Sequence, residues 1–181
     1  MSDLNTSRRT IVKGAAWAVP AISVAAAAPS LAASPTTAPH DLSTSVPGTG
    51  TRQSATNLNL SPTTFNNTGS ETIEGLTITF TVDSGQTITG ISIFGSDIKN
   101  LVAGSTTSGY GTNTVVLTLP PNTSGGVGQV SIAPGGSYTA PLGQDIGLSS
   151  PDAFNISVTV TASNGTASDI PYMSTNPVPA A

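Results

Sequence analysis

The chain has 181 residues, a formal net charge of -4 and no cysteine, with charged residues at 8% and aromatics at 4%. That length holds one ordinary domain plus a terminal extension, and the missing cysteine excludes disulfides, thiolate metal sites, cysteine nucleophiles and a lipid-anchoring thiol. Beyond residue 32 only Arg52 and Lys99 are basic, so the chain cannot neutralise a row of phosphates and nucleic acid is excluded as a partner.

The first 32 residues read as an export leader. Ser7-Arg8-Arg9-Thr10-Ile11-Val12-Lys13 precedes an alanine-rich, weakly apolar run from Gly14 to Ala28, followed by Pro29-Ser30-Leu31-Ala32-Ala33. A charged head, an apolar middle and a small-residue exit is the signal-peptide pattern. The apolar run is short of the roughly twenty residues that span a bilayer and is broken by Pro20, so no stable membrane anchor is expected. Small residues at Ser30 and Ala32 place the cut between Ala32 and Ala33, with a cut one residue later, after Ala33, as the alternative. Trp17, the only tryptophan, would leave with this segment. With an apolar residue two places on and a lysine behind it, the Arg8-Arg9 pair resembles the twin-arginine motif of bacterial export signals. The leader as a whole is similar to those of exported proteins from high-GC Gram-positive bacteria. The resemblance implies a twin-arginine translocase and a signal peptidase as partners during export, and a secreted product, free or held at the cell wall.

Residues 33–50 are rich in Pro, Ser and Thr and read as an extended lead-in, with a first edge strand near Leu42 to Val46. His40 lies in it and is expected to be solvated, since a general base needs an orienting partner and a pocket. Thr51 to Leu60 reads as one strand with a shift of face. Ser61 to Ser70 is read as a turn, through Pro62, Asn67 and Gly69. The stretch Glu71 to Gly85 is the centre of the fold: Leu76, Ile78, Phe80 and Val82 alternate with Thr77, Thr79 and Thr81, which defines a half-buried strand.

After a turn at Asp83-Ser84-Gly85, the apolar row Ile88, Ile91, Ile93 is out of step by one residue, and a bulge near Gly90 would restore it. Asp97 to Val102 is a short edge strand or turn, and Ser105 to Gly111 a loop carrying Tyr110. Thr114 to Leu119 is a β-branched strand ended by Pro120-Pro121. Val127 to Ile132 is another, followed by a turn at Pro134-Gly135-Gly136 and a continuation from Ser137 to Ala140. Phe154, Ile156, Val158, Val160 and Ala162 give a second clean alternation, closed by Asn164-Gly165. Ala167 to Tyr172 is a last edge strand, and residues 173–181 a flexible tail.

About seven strands without a convincing amphipathic helix predict an all-β two-sheet sandwich over residues 51–172. The segment NNTGSETIEGLTITFTVDSG, Asn66 to Gly85, resembles the immunoglobulin-like modules of bacterial surface and secreted proteins, in which an Asn-Thr-Gly turn leads into a strand of alternating apolar residues and threonines. IAPGGSYTAPLG and FNISVTVTASNG are compatible with that family's final strands, whereas Asp83-Ser84-Gly85 departs from its usual Pro-Gly turn. The resemblance implies an immunoglobulin-like sandwich.

Catalysis has few candidates. The carboxylates Asp41, Glu71, Glu74, Asp83, Asp97, Asp145, Asp152 and Asp169 sit singly, mostly in turns, where such side chains cap their own backbone; no catalytic, cofactor or metal residue is assigned. Asp145 and Asp152 share one short connection, the nearest approach to an oxygen-ligand calcium loop, but turn capping accounts for them better. The Asn66, Asn122, Asn155 and Asn164 sequons lose their meaning if the leader is bacterial. The expectation is a secreted or surface-associated, non-catalytic structural or protein-interaction module. The alternative, a carbohydrate- or wall-binding module, wants exposed aromatic faces. Only Tyr110 and Tyr172 are placed where they could be exposed, so the loop around Tyr110 or a strand edge is the expected binding element.

Overall fold

The computed structural model describes residues 37–83, 85–93, 95–140 and 144–181. In chain order the elements are β1 (Gly50–Ser54), β2 (Asn57–Leu60), β3 (Thr64–Asn66), β4 (Ile73–Glu74), β5 (Leu76–Val82), β6 (Ile88–Ile93), β7 (Ser96–Asp97) and a one-turn helix α1 (Ile98–Leu101). They continue with β8 (Thr106–Ser108), β9 (Thr114–Leu119), β10 (Ser131–Ile132), β11 (Ser137–Thr139), β12 (Gln144–Leu148), β13 (Phe154–Ala162) and β14 (Tyr172–Val178). Two five-stranded antiparallel sheets result, β1-β2-β12-β6-β7 and β14-β13-β5-β9-β8. Short ladders join β4 to β10 and β3 to β11. This is the expected all-β two-sheet sandwich.

The alternation read in β5 is what sets its place. Leu76, Ile78, Phe80 and Val82 are buried and the threonines between them are not. Each such side chain contributes about 1.5–3 kcal/mol on burial, so a one-residue slip would lose all four together. On either side, β9 adds Val115, Leu117 and Leu119, and β13 adds Phe154, Ile156, Val160 and Ala162. The facing sheet supplies Leu58 and Leu60 from β2, Ile88 and Ile91 from β6, and Ile146 and Leu148 from β12, and all belong to one core.

Several boundaries differ from the sequence expectation. Residues 42–46 form no strand; Val46 makes a single-residue bridge to Thr64, and Leu42 is buried. Thr51 to Leu60 is a hairpin, β1 and β2, whose register slips between Arg52 and Ser54; the shift of face is a turn at Ala55-Thr56. The predicted turn Ser61 to Ser70 contains β3. Gly75, at φ 80°, divides β4 from β5, and a Cβ there would lie 2.7 Å from the Leu119 carbonyl. The bulge near Gly90 is present: Gly147 pairs with Gly90 and Leu148 with Ile88, leaving Thr89 unpaired. Asp97 ends β7 and caps α1, its Oδ1 accepting from the Lys99 N–H at 3.0 Å. The Ser105 to Gly111 loop includes β8, and the Val127 to Ile132 strand shrinks to β10.

Two larger corrections concern strands. β12 was not predicted, yet it lies in the middle of its sheet between β2 and β6. The last strand is β14, not Ala167 to Tyr172, and it runs through most of the expected flexible tail, pairing with β13 from Phe154↔Val178 to Val160↔Tyr172. The described part of the lead-in belongs to the same compact body as the sandwich, which begins at Thr37.

Candidate interaction surface

β5 is the central strand of its sheet, so the side chains opposite its buried row form the middle of an outer face. The pairing registers place these in rows. Thr161, Thr77, Thr118 and Thr106 cross β13, β5, β9 and β8. Met173, Thr159, Thr79, Val116 and Ser108 make the next row across all five strands, and Thr175, Ser157, Thr81 and Thr114 the third. Sheet geometry sets neighbours about 4.8 Å apart across strands and about 6.8 Å along them, and β-branching restricts each threonine at χ1. Hydroxyls at the margins bond one another, Ser157 to Thr175 at 3.0 Å and Thr77 to Ser163 at 3.1 Å. No charged side chain stands in these rows. Along the β14 edge Pro177 carries no N–H, a device that discourages a further strand.

The export residues Ser7, Arg8, Arg9 and Lys13, the cut at Ala32 and Ala33, and Trp17 lie outside the described residues, as do Ser84 and Phe94. Tyr110, between β8 and β9, is half-buried against the core, and its hydroxyl accepts from the Ile91 N–H at 3.2 Å. Tyr172 corrects its expected exposure: it is buried, edge-on to Phe65 with ring centroids 6.2 Å apart. Phe80 and Phe154 are in the core as expected, with the Arg52 guanidinium 5.5 Å over the Phe154 ring. Arg52 also donates to the carbonyls of Ala55, Asp152 and Pro179. Tyr138 is partly buried, which pushes its phenol above its ordinary value.

Most of the carboxylates are hydrogen-bonded to neighbouring groups. Asp41 accepts from the Ser43 N–H at 2.9 Å, Asp83 from the Asn155 backbone and side chain, Asp145 from the Asn59 amide at 2.8 Å, Asp152 from Ser150 and Glu74 from Ser131. Burial would raise the Asp41 carboxyl, but its hydrogen bonds to Ser43 and Thr68 outweigh that and hold it below its ordinary value. Asp145 stands in β12 and Asp152 in the turn beyond it, each with its own partner. Among the described residues no three of His, Asp and Glu gather as metal ligands.

His40 is the larger departure. Expected in solvent, it is only 2% exposed. Its Nδ1 lies 2.9 Å from Asp169 Oδ2, and its backbone N–H donates to Asp169 Oδ1 at 3.2 Å. Asp169 also accepts from the Thr166 N–H and hydroxyl. Burial acts to raise the Asp169 carboxyl, and the bonds from His40 and Thr166 bring it net below its ordinary value. On the far side, His40 Nε2 is 3.4 Å from the Asn164 amide nitrogen. The nine-residue loop between β13 and β14 and a hairpin-turn reading of Asn164-Gly165 concealed this cluster; a histidine and an aspartate 129 positions apart carry no local signal.

No family model and no curated protein matches the chain. Among solved structures it is similar to the collagen-binding domain from a Staphylococcus aureus adhesin, at TM-score 0.37 and 14% identity over 72% of this chain and 93% of that one. A second S. aureus collagen adhesin structure gives 0.32 and 12% over 77% and 49%. A GH20 exo-β-N-acetylglucosaminidase from Vibrio harveyi gives 0.33 and 16% over 79% and 19%. Scores and identities this low transfer neither a ligand nor an activity.

Proposed function

We propose that this chain is an exported, non-catalytic interaction module, secreted or held at the cell surface, whose contact surface is the outer face of the β14-β13-β5-β9-β8 sheet and whose partner is an extracellular protein. The observation that carries the reading is the registered array of uncharged hydroxyls around Thr79. A neutral face on an otherwise acidic body lets a partner approach without a charge to desolvate, and rigid strands present it without an ordering cost. Most of the carboxylates are already bound to neighbouring backbone and side chains, which supports a non-catalytic role.

Export belongs to the same proposal: the Arg8-Arg9 leader delivers the chain through the twin-arginine route, with cleavage after Ala32. Replacing both arginines by lysine is expected to trap precursor inside the cell, and unchanged secretion would refute that route. The surface is tested by pull-down from whole secreted protein and, separately, from purified cell wall. A protein partner recovered by the native chain and lost in Thr79→Lys is the expected result. Retention on wall polysaccharide, lost in Tyr110→Ala and kept in Thr79→Lys, would replace this reading by the carbohydrate one and move the site to the Tyr110 loop.

A further inference from the structure

Residues 38–46 belong to none of the strand ladders; they make the single-residue bridges Asp41↔Ile170 and Val46↔Thr64, and Asn66 of β3 donates its N–H to Ser45 Oγ at 3.1 Å and its Nδ2 to the Thr44 carbonyl at 2.7 Å. Their backbone is nonetheless well bonded. The Leu42 N–H donates to the Ile170 carbonyl and the Ile170 N–H to that of His40, both at 2.9 Å. Thr68, Ser70 and Glu71 donate to the carbonyls of Asp41, Ala38 and Pro39, and Val46 and Thr64 exchange bonds at 2.8 and 3.0 Å. Leu42, 1% exposed, is the one large apolar side chain this segment buries, while Ser43, Thr44 and Val46 face solvent.

One side-chain relay holds this segment to the loop between β13 and β14. The orientation of Asn164 is set by backbone: its Oδ1 accepts from the Glu74 N–H at 2.9 Å and its Nδ2 donates to the Thr72 carbonyl at 3.1 Å. A flipped amide would set N–H against N–H and oxygen against oxygen. The amide therefore turns an N–H toward His40 Nε2, which must present its lone pair, and the ring proton sits on Nδ1, aimed at Asp169. The neutral Nδ1–H tautomer satisfies all three groups at once.

We propose that residues 38–46 are a strap that opens as a unit separate from the sandwich, and that the Asn164–His40–Asp169 relay is its latch. A segment with one buried apolar anchor and no ladder of its own has the composition of a low-stability unfolding unit. Opening it uncovers the Leu42 slot and frees the backbone groups of Thr64, Thr68, Ser70, Glu71 and Ile170. The proposal does not depend on the contact face around Thr79.

The test is residue-by-residue amide hydrogen exchange on the full chain, comparing the native sequence with His40→Ala and with Asn164→Ala, which also frees the Glu74 N–H and the Thr72 carbonyl. The expected result is that the amides of Leu42, Val46, Thr68, Ser70, Glu71 and Ile170 exchange together, about threefold or more faster in either variant, as loss of a part-buried hydrogen bond would produce in a local opening. The amides of β5 and β13 should keep their native protection. Unchanged strap amides in both variants would show that the relay is no latch. Equal loss of protection across strap, β5 and β13 in Asn164→Ala would make the strap part of the common core, and would refute the proposal equally.

Discussion

Asn67 offers the sharpest test of how this fold is held together. It belongs to the Asn-Thr-Gly turn that the sequence sets before the central strand, and it is fully buried. Its Nδ2 donates to the carbonyls of Glu71 at 2.7 Å and Ile132 at 2.9 Å, and its Oδ1 accepts from the Gly69 N–H at 3.0 Å. One amide thus closes its own turn and ties it to β10. Asn67→Ala leaves these three backbone groups, and the more distant Asp41 N–H at 3.5 Å, without that partner; at about 1–3 kcal/mol for each buried group left unpaired, and allowing water to reach some of them, the loss should be about 3–6 kcal/mol. Against a total of roughly 5–15 kcal/mol for a domain, that is a large fraction. Urea unfolding followed by far-ultraviolet circular dichroism measures it. Asn67→Asp sharpens the argument, because it keeps the shape but turns an oxygen toward two carbonyls. Burial and those dipoles favour the protonated acid, so the folded carboxyl lies above its unfolded value. The excess destabilisation is then absent at pH below the unfolded value and grows as pH rises through the folded one. A cost below about 1 kcal/mol for Asn67→Ala, within the range of surface substitutions, or an Asn67→Asp penalty that does not grow with pH, would refute the reasoning.

Other predictions follow from the same bonds and packing. Asp169 has a folded carboxyl below its ordinary value of 3.8, so its contribution is present above the unfolded value and is lost as pH falls through the lower folded one; Asp169→Asn should flatten that acid limb in a pH series of urea midpoints, and an unchanged limb would discount the His40 and Thr166 bonds. Ile146→Ala, in the strand between β2 and β6, should cost about 2–5 kcal/mol like other buried aliphatic truncations, and a cost near zero by the same unfolding assay would remove β12 from the core. Thr79→Lys should change stability by no more than about 1 kcal/mol, the scale of a cross-strand pair, so its loss of a partner in pull-down could not be attributed to unfolding.

The parts of the fold legible in the sequence are those in which a strand has one wet face. β5 and β13 spell their alternation over seven and nine residues, and burial follows it. β12 was not legible because it is short and carries only Ile146 and Leu148 as apolar residues, with Gly147 between them; a partner on each side, not its own composition, makes it a strand. β14 was hidden for a related reason. Its inward row is Tyr172, Ser174, Asn176 and Val178, polar in the middle, and Pro177 argues against a strand unless the strand is an edge. Pairing with the strongly patterned β13 overrides both objections.

The same physics explains which parts of the candidate surface could be read in advance. Thr77, Thr79 and Thr81 were visible as the polar side of one strand, but a row becomes a surface only when register places Thr118 and Thr161 beside Thr77, and register is a property of pairs. Lone titratable groups are harder still. His40 looks like a solvated linker residue because burial of an imidazole depends on an acceptor for its N–H and a donor for its lone pair, here Asp169 and Asn164, both from the far end of the chain. Composition cannot signal such a pair, yet the relay leaves an indirect trace at Gly69. A Cβ there would run into the Pro39 carbonyl, so the glycine of the Asn-Thr-Gly turn is needed not for its dihedral freedom but for the strap that His40 holds against it.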